Sequence, residues 1–115
     1  MNPNENSVKI WNKIALLYQE KFMNLSIYNQ TYDAFCKAIP KSKPAILEIG
    51  CGPGNITRYL LTKRPDFQIT GIDSSESMIQ LAQVNNPDSH LLVLDALEIN
   101  TLNKQYDAII CGFCL

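Results

Sequence analysis

Ala45-Ile46-Leu47-Glu48-Ile49-Gly50-Cys51-Gly52-Pro53-Gly54 is the stretch that decides how this chain folds. Its apolar run is too short for an independent helix, it enters three glycines on alternate positions, and a helix-period segment follows from Asn55. That profile predicts a buried parallel strand turning directly into a helix. Glycines at such a turn tolerate unusual dihedrals and let a ligand lie against bare backbone. The turn reads as a cradle for a small molecule.

Spacing limits what is cradled. A dinucleotide fingerprint requires G-x-G-x-x-G, but its third glycine place is held here by Asn55, with Gly54 one residue early. A nicotinamide enzyme is therefore disfavoured. The acid Glu48, just ahead of the first glycine, suits a ligand with a positive end better than an anionic pyrophosphate. The resulting pattern, Glu48-x-Gly50-x-Gly52-x-Gly54, closely resembles the first motif of the class I S-adenosylmethionine-dependent methyltransferases, whose cofactor carries an ammonium and a sulfonium. A second acid agrees with it. Strand-like Phe67 to Ile72 runs into Asp73, about 20 residues downstream, where nucleotide folds place a ribose-binding carboxylate.

The resemblance implies a set of cofactor contacts. Gly50, Cys51, Gly52 and Gly54 would meet the methionine and ribose through backbone, and Glu48 would stand near the ammonium. Asp73, with Ser74 beside it, would take the ribose hydroxyls; read as a residue alone, Asp73 is equally a helix cap. Met78 would form an apolar wall against the adenine, or simply be core. Asp95 and Ala96 would reach the adenine amino group and ring, or Asp95 would cap the Ala96 to Asn100 turn. Tyr18 would come from an N-terminal helix to the methionine end, although aromatics at helical spacing are ordinarily core packing. Cys111 lies at the tail of the fourth strand, Tyr106-Asp107-Ala108-Ile109-Ile110-Cys111-Gly112-Phe113, which is similar to the family motif after which methyl and substrate meet.

Composition sets the class. The 115 residues suit one domain, with 46% hydrophobic and 18% charged residues, as expected of a globular chain with a core. A net charge of −1 provides no electrostatic footprint for nucleic acid or an anionic membrane. No apolar run approaches the ~18 residues of a membrane span, and the polar opening lacks a signal peptide's basic start. A cytoplasmic protein acting on a small-molecule substrate is the expectation. Of the four cysteines, Cys36, Cys51, Cys111 and Cys114, the last two form C-x-x-C. No second ligand pair stands at zinc spacing, and the pair closes an apolar strand where a redox pair would open a helix. All four read as small buried thiols, with no metal site.

In chain order, residues 1 to 7 are expected to be a disordered lead, and helical spacing starts at Ser7 through Ile10, Ile14, Leu17 and Met23. A second helix is expected over about Tyr28 to Ile39, with Tyr32, Phe35, Cys36 and Ile39 on one face. Pro40 and Pro44 end it. Asn55 is placed to cap a helix through about Leu61, with Ile56, Tyr59 and Leu60 inward and Thr57, Arg58, Lys63 and Arg64 outward. A strand from Phe67, a helix opened by Asp73 to Glu76, a buried strand Leu91 to Leu94 and the fourth strand follow.

The alternation predicts a parallel sheet covered on both faces, with right-handed crossovers. The fold class is thus α/β, a Rossmann-like three-layer sandwich with incomplete strand order 3-2-1-4, preceded by two helices. Residues 1–43 form a helical segment and 44–115 a half-domain ending after strand four. An open edge at strand four invites pairing. A fragment, a natural truncation or a homodimer completed through that edge would each account for it. The reading opposed to an enzyme is a truncated, non-catalytic module that dimerises and binds cofactor weakly or not at all. No residue stands out as a catalytic base.

Overall fold

Strand β1 (Ala45–Ile49) runs through the centre of a parallel sheet, with β2 (Gln68–Asp73) on one side and β4 (Ala108–Cys111) on the other. Strand β3 (His90–Val93) pairs outside β2, so the order is 3-2-1-4 as the alternation predicted. This computed structural model describes residues 28–112. The expected first helix and Tyr18, with Phe113 and Cys114, lie outside the described residues. Helix α1 (Asn29–Lys37) precedes the sheet, α2 (Asn55–Lys63) joins β1 to β2, and α3 (Glu76–Asn85) joins β2 to β3. A kinked 3-10 segment (Ala96–Leu102) carries the chain toward β4.

Apolar spacing explains the packing. Cys36, Ile46, Ile56, Leu60, Phe67 and Ile69 are buried together, with Tyr32, Phe35, Ile39 and Ile110 against them, so α1 and α2 share one core with the sheet. Cys51, Ile79, Ala82 and Leu91 form a second cluster under α3. Phe35 meets Phe67 edge-on at 6.2 Å between ring centroids. The expected inward face of α1 is present in Tyr32, Phe35 and Cys36, but the helix ends at Lys37, and Ile39 joins the core from beyond its end.

Arg64 departs from its expected outward role. Its guanidinium donates to the carbonyls of Cys36 (2.9 Å), Ile39 (2.7 Å) and Lys41 (3.0 Å) and pairs with Asp66 at 2.9 Å. Asp66 in turn accepts from Lys43 N at 3.0 Å. Carbonyls at a helix end lack intrahelical donors, and a forked cation nearby meets several at once. The bond from Arg64 holds the Asp66 carboxyl down at about 2.

Other departures concern the rims of the sheet. Strand β3 is only half buried, with Val93 51% exposed, because an edge strand has a neighbour on one side alone. Strand β4 starts at Ala108, two residues later than read, because Asp107 turns its carboxylate onto Ala45 N (2.8 Å) and Lys41 Nζ (3.1 Å). Cys111 is exposed rather than buried, sharing the outer side of β4 with Ile109. Among the described residues no helix is long and apolar enough to cross a membrane.

Candidate functional site

All three glycines after β1 adopt left-handed backbone: Gly50 at φ 69°, Gly52 at 53° and Gly54 at 85°. That is where a side chain would be strained, which is the physical reason for glycine at alternate positions. The turn is bonded into the sheet. Cys51 N donates to Ile72 O at 2.9 Å and Gly54 N to Cys51 O at 3.0 Å. Gly54, not Asn55, is the N-cap of α2, and Asn55 is its first helical residue. The N–H groups of Asn55, Ile56 and Thr57 therefore fall in the first turn, where donors have no intrahelical carbonyl and the helix dipole favours an anion. Asn55 Oδ1 is buried and accepts no hydrogen bond among the described residues. An unmet acceptor beside a ring of backbone donors suits a ligand with both an ammonium and a carboxylate.

Asp73 closes the other side. Its Oδ2 accepts from Gly52 N at 3.0 Å and its Oδ1 from Ser75 N at 2.9 Å. It ties the glycine turn to the start of α3, a role neither sequence reading contained. Ser75 is the N-cap of α3, accepting from Met78 N at 3.3 Å, so the cap role considered for Asp73 belongs to its neighbour. Ser74 is exposed beside it, and Met78 is buried.

Glu48 sits wholly inside the fold, at 0% exposure. Thr57, expected on the outer face of α2, is equally buried and donates its hydroxyl to both carboxylate oxygens, at 3.0 and 3.3 Å. Helical spacing could have found the pair: Thr57 is one residue after Ile56 and three before Leu60, both core. Burial pushes the Glu48 carboxyl up to about 8, opposed by the Thr57 bond and reinforced by the negative charge of Asp73. The carboxyl thus holds its proton at neutral pH in the ligand-free fold. Cys51 is buried within the same turn, and its thiol is pushed up first by burial, then by Glu48 and Asp73. A buried thiol so placed is inert packing.

Asp95 and Ala96 are both exposed at the C-terminal end of β3, and Asp95 caps the 3-10 segment by accepting from Leu97 N at 2.9 Å. Cys111 stands at the corresponding end of β4, where Gly112 N continues the ladder to Ile49 O at 2.9 Å. The turn, Asp73, Asp95 and Cys111 all lie at the C-terminal ends of their strands, around the switch point where strand order reverses between β1 and β4. Open α/β sheets bind ligands there.

Comparison with known proteins agrees with this geometry. Residues 46–115 match the family model of a methyltransferase domain. The chain is similar to malonyl-[acyl-carrier protein] O-methyltransferase of Acetivibrio thermocellus, 34% identical over 104 residues, covering 76% of this chain and 36% of that enzyme. The plantazolicin methyltransferase BpumL, solved with SAH, superposes with a TM-score of 0.57 at 26% identity, covering 96% of this chain and 42% of that one. A methyltransferase of Clostridium acetobutylicum, S-adenosylmethionine-dependent, shares the fold with a TM-score of 0.65 at 24% identity, over 89% of this chain and 43% of that one. The chain spans well under half the length of the curated relatives it matches.

Proposed function

This chain belongs to the class I S-adenosylmethionine-dependent methyltransferase family, and from that premise we propose that it forms the cofactor half of an enzyme that methylates a small molecule. When bound, the cofactor would supply an electrophilic methyl carried on sulfonium for transfer to a nucleophilic acceptor. Positioning is what these residues contribute. Gly50, Cys51, Gly52 and Gly54 present backbone to the methionine and ribose, and the first turn of α2 faces the carboxylate. Asp73 takes the ribose hydroxyls with Ser74 at its side. Met78, Asp95 and Ala96 would meet the adenine, Tyr18 and Cys111 would serve the methionine end, and Glu48, protonated in the ligand-free fold, would become the counter-charge of the ammonium by releasing its proton as the cation arrives.

One observation carries the proposal: the Asp73 carboxylate reaches back 3.0 Å to Gly52 N, so the ribose acid and the glycine turn are parts of one site. The near-neutral charge of −1 supports a small acceptor over nucleic acid, and the enzyme acts in the cytoplasm. Strand β4, with Ile109 55% exposed, offers an edge through which two copies can pair. Light scattering at micromolar concentration tests that pairing, and a stable monomer rejects it. Calorimetric titration of the chain with S-adenosylhomocysteine, beside NAD, tests the cofactor. Selective binding of the first is expected; a folded protein that binds neither refutes the site.

A further inference from the structure

We propose that Asn85 and Asn86, at the far end of α3, are positioning residues that hold the glycine turn in its ligand-binding shape. The inference rests on the cofactor reading above. Asn86 is 4% exposed, and its Nδ2 donates to Gly54 O at 2.9 Å. Asn85 Nδ2 donates to Pro53 O, also at 2.9 Å. Two adjacent side-chain amides thus take the carbonyls of two adjacent turn residues, 32 positions away in sequence.

A planar peptide makes this a statement about the opposite side of the turn. In a trans peptide the C=O and the following N–H point in opposite directions, so fixing one fixes the other. Holding Pro53 O orients Gly54 N–H, which bonds Cys51 O at 3.0 Å inside the turn. Gly54 O already accepts from Arg58 N at 3.0 Å as the first carbonyl of α2, and Asn86 adds a second donor, so the two together fix the peptide whose other side carries Asn55 N–H, the first donor of α2, pointing away from Asn86. Capping of α3 accounts for only part of this: Asn86 Nδ2 also reaches Ala82 O, but at 3.2 Å, longer than its bond to the turn. Gly54 completes the fit. A Cβ there would stand 2.4 Å from Asn86 Nδ2, so the glycine leaves the space that the amide occupies.

The test uses the full chain with Asn86→Asp, which keeps the shape and removes both donors, Asn85→Ala as a milder variant, and Gln83→Ala as control. Gln83 bonds the carbonyls of Asn86, Pro87 and Ser89, so its loss loosens the same helix end without touching the turn. Two quantities are read: ligand-free amide chemical shifts of Gly54, Asn55 and Ile56, and affinity for S-adenosylhomocysteine. Expected are moved turn amides and at least tenfold weaker binding in Asn86→Asp, a smaller change of the same kind in Asn85→Ala, and neither in Gln83→Ala. Unmoved turn amides with wild-type affinity in folded Asn86→Asp overturn the proposal, and so does an equal loss of affinity in Gln83→Ala. If Asn86→Asp fails to fold, Asn85→Ala decides by the same two readings. If wild type binds nothing, the cofactor reading falls on its own and the amide shifts alone decide whether the pair holds the turn.

Discussion

Raising the pH should weaken the ligand-free fold through Glu48. In the unfolded chain this carboxyl ionises near its ordinary value of 4.5, whereas burial pushes it up to about 8 in the folded state. Between those values the folded protein keeps a proton that the unfolded chain has released, so stability is full below 4.5 and falls as pH rises toward 8. At about 1.4 kcal/mol per pH unit of separation the full loss is on the order of 5 kcal/mol, a large part of the 5–15 kcal/mol typical of a domain. Glu48→Gln removes the titration and keeps an acceptor for the Thr57 hydroxyl. Urea unfolding followed by circular dichroism from about pH 5 to about pH 8.5 reads the slope. Wild type should lose stability steadily across that window while Glu48→Gln stays nearly level and becomes the more stable of the two at the alkaline end. A wild-type profile as flat as that of Glu48→Gln would refute the reasoning, because a carboxyl ionised at neutral pH in the fold produces no such slope.

Three other outcomes follow from the geometry. Asp73→Ala should weaken S-adenosylhomocysteine binding by roughly 1 to 3 kcal/mol, the range for lost charged hydrogen bonds, and unchanged affinity in calorimetry would reject its ribose role. Gly112→Ala would set a Cβ 2.9 Å from both Gly50 O and Ile56 Cδ1, so thermal unfolding should show a loss of about 1 to 3 kcal/mol from overpacking. Under native conditions a thiol reagent should modify Cys111 quickly while Cys36 and Cys51 stay protected; S-adenosylhomocysteine should slow the reaction at Cys111, as mass spectrometry of the labelled peptides would show.

Sheet order, the sequence of elements and the inner face of α1 were legible because they follow from periodicity and from the handedness of crossovers, both local or topological. The glycine turn was legible because positive φ has few other solutions. What escaped was fixed by contacts between distant residues. Nothing in the type of Asn85 or Asn86 announces a bond to Pro53 or Gly54, and Arg64 looked like any exposed cation until the end of α1 came within reach of its fork. Glu48 was picked out as an acid at the site, but its protonation depends on how completely the sheet and α2 exclude water. Thr57 was assigned outward because hydroxyls usually are; a buried carboxyl needing a donor reversed that preference.

The Arg64 fork bears on where this protein can be cut. A boundary drawn at residue 43/44 by the change from helix to strand would separate Cys36, Ile39 and Lys41 from the guanidinium that holds their carbonyls, and Phe35 from Phe67. The preceding helix is accordingly a graft that has been sewn in rather than an appendage. A chain trimmed to begin at the first strand should emerge from expression less soluble than the intact one, and chimaeras with a foreign leading segment should keep their register only if Arg64 still finds a helix end to grip.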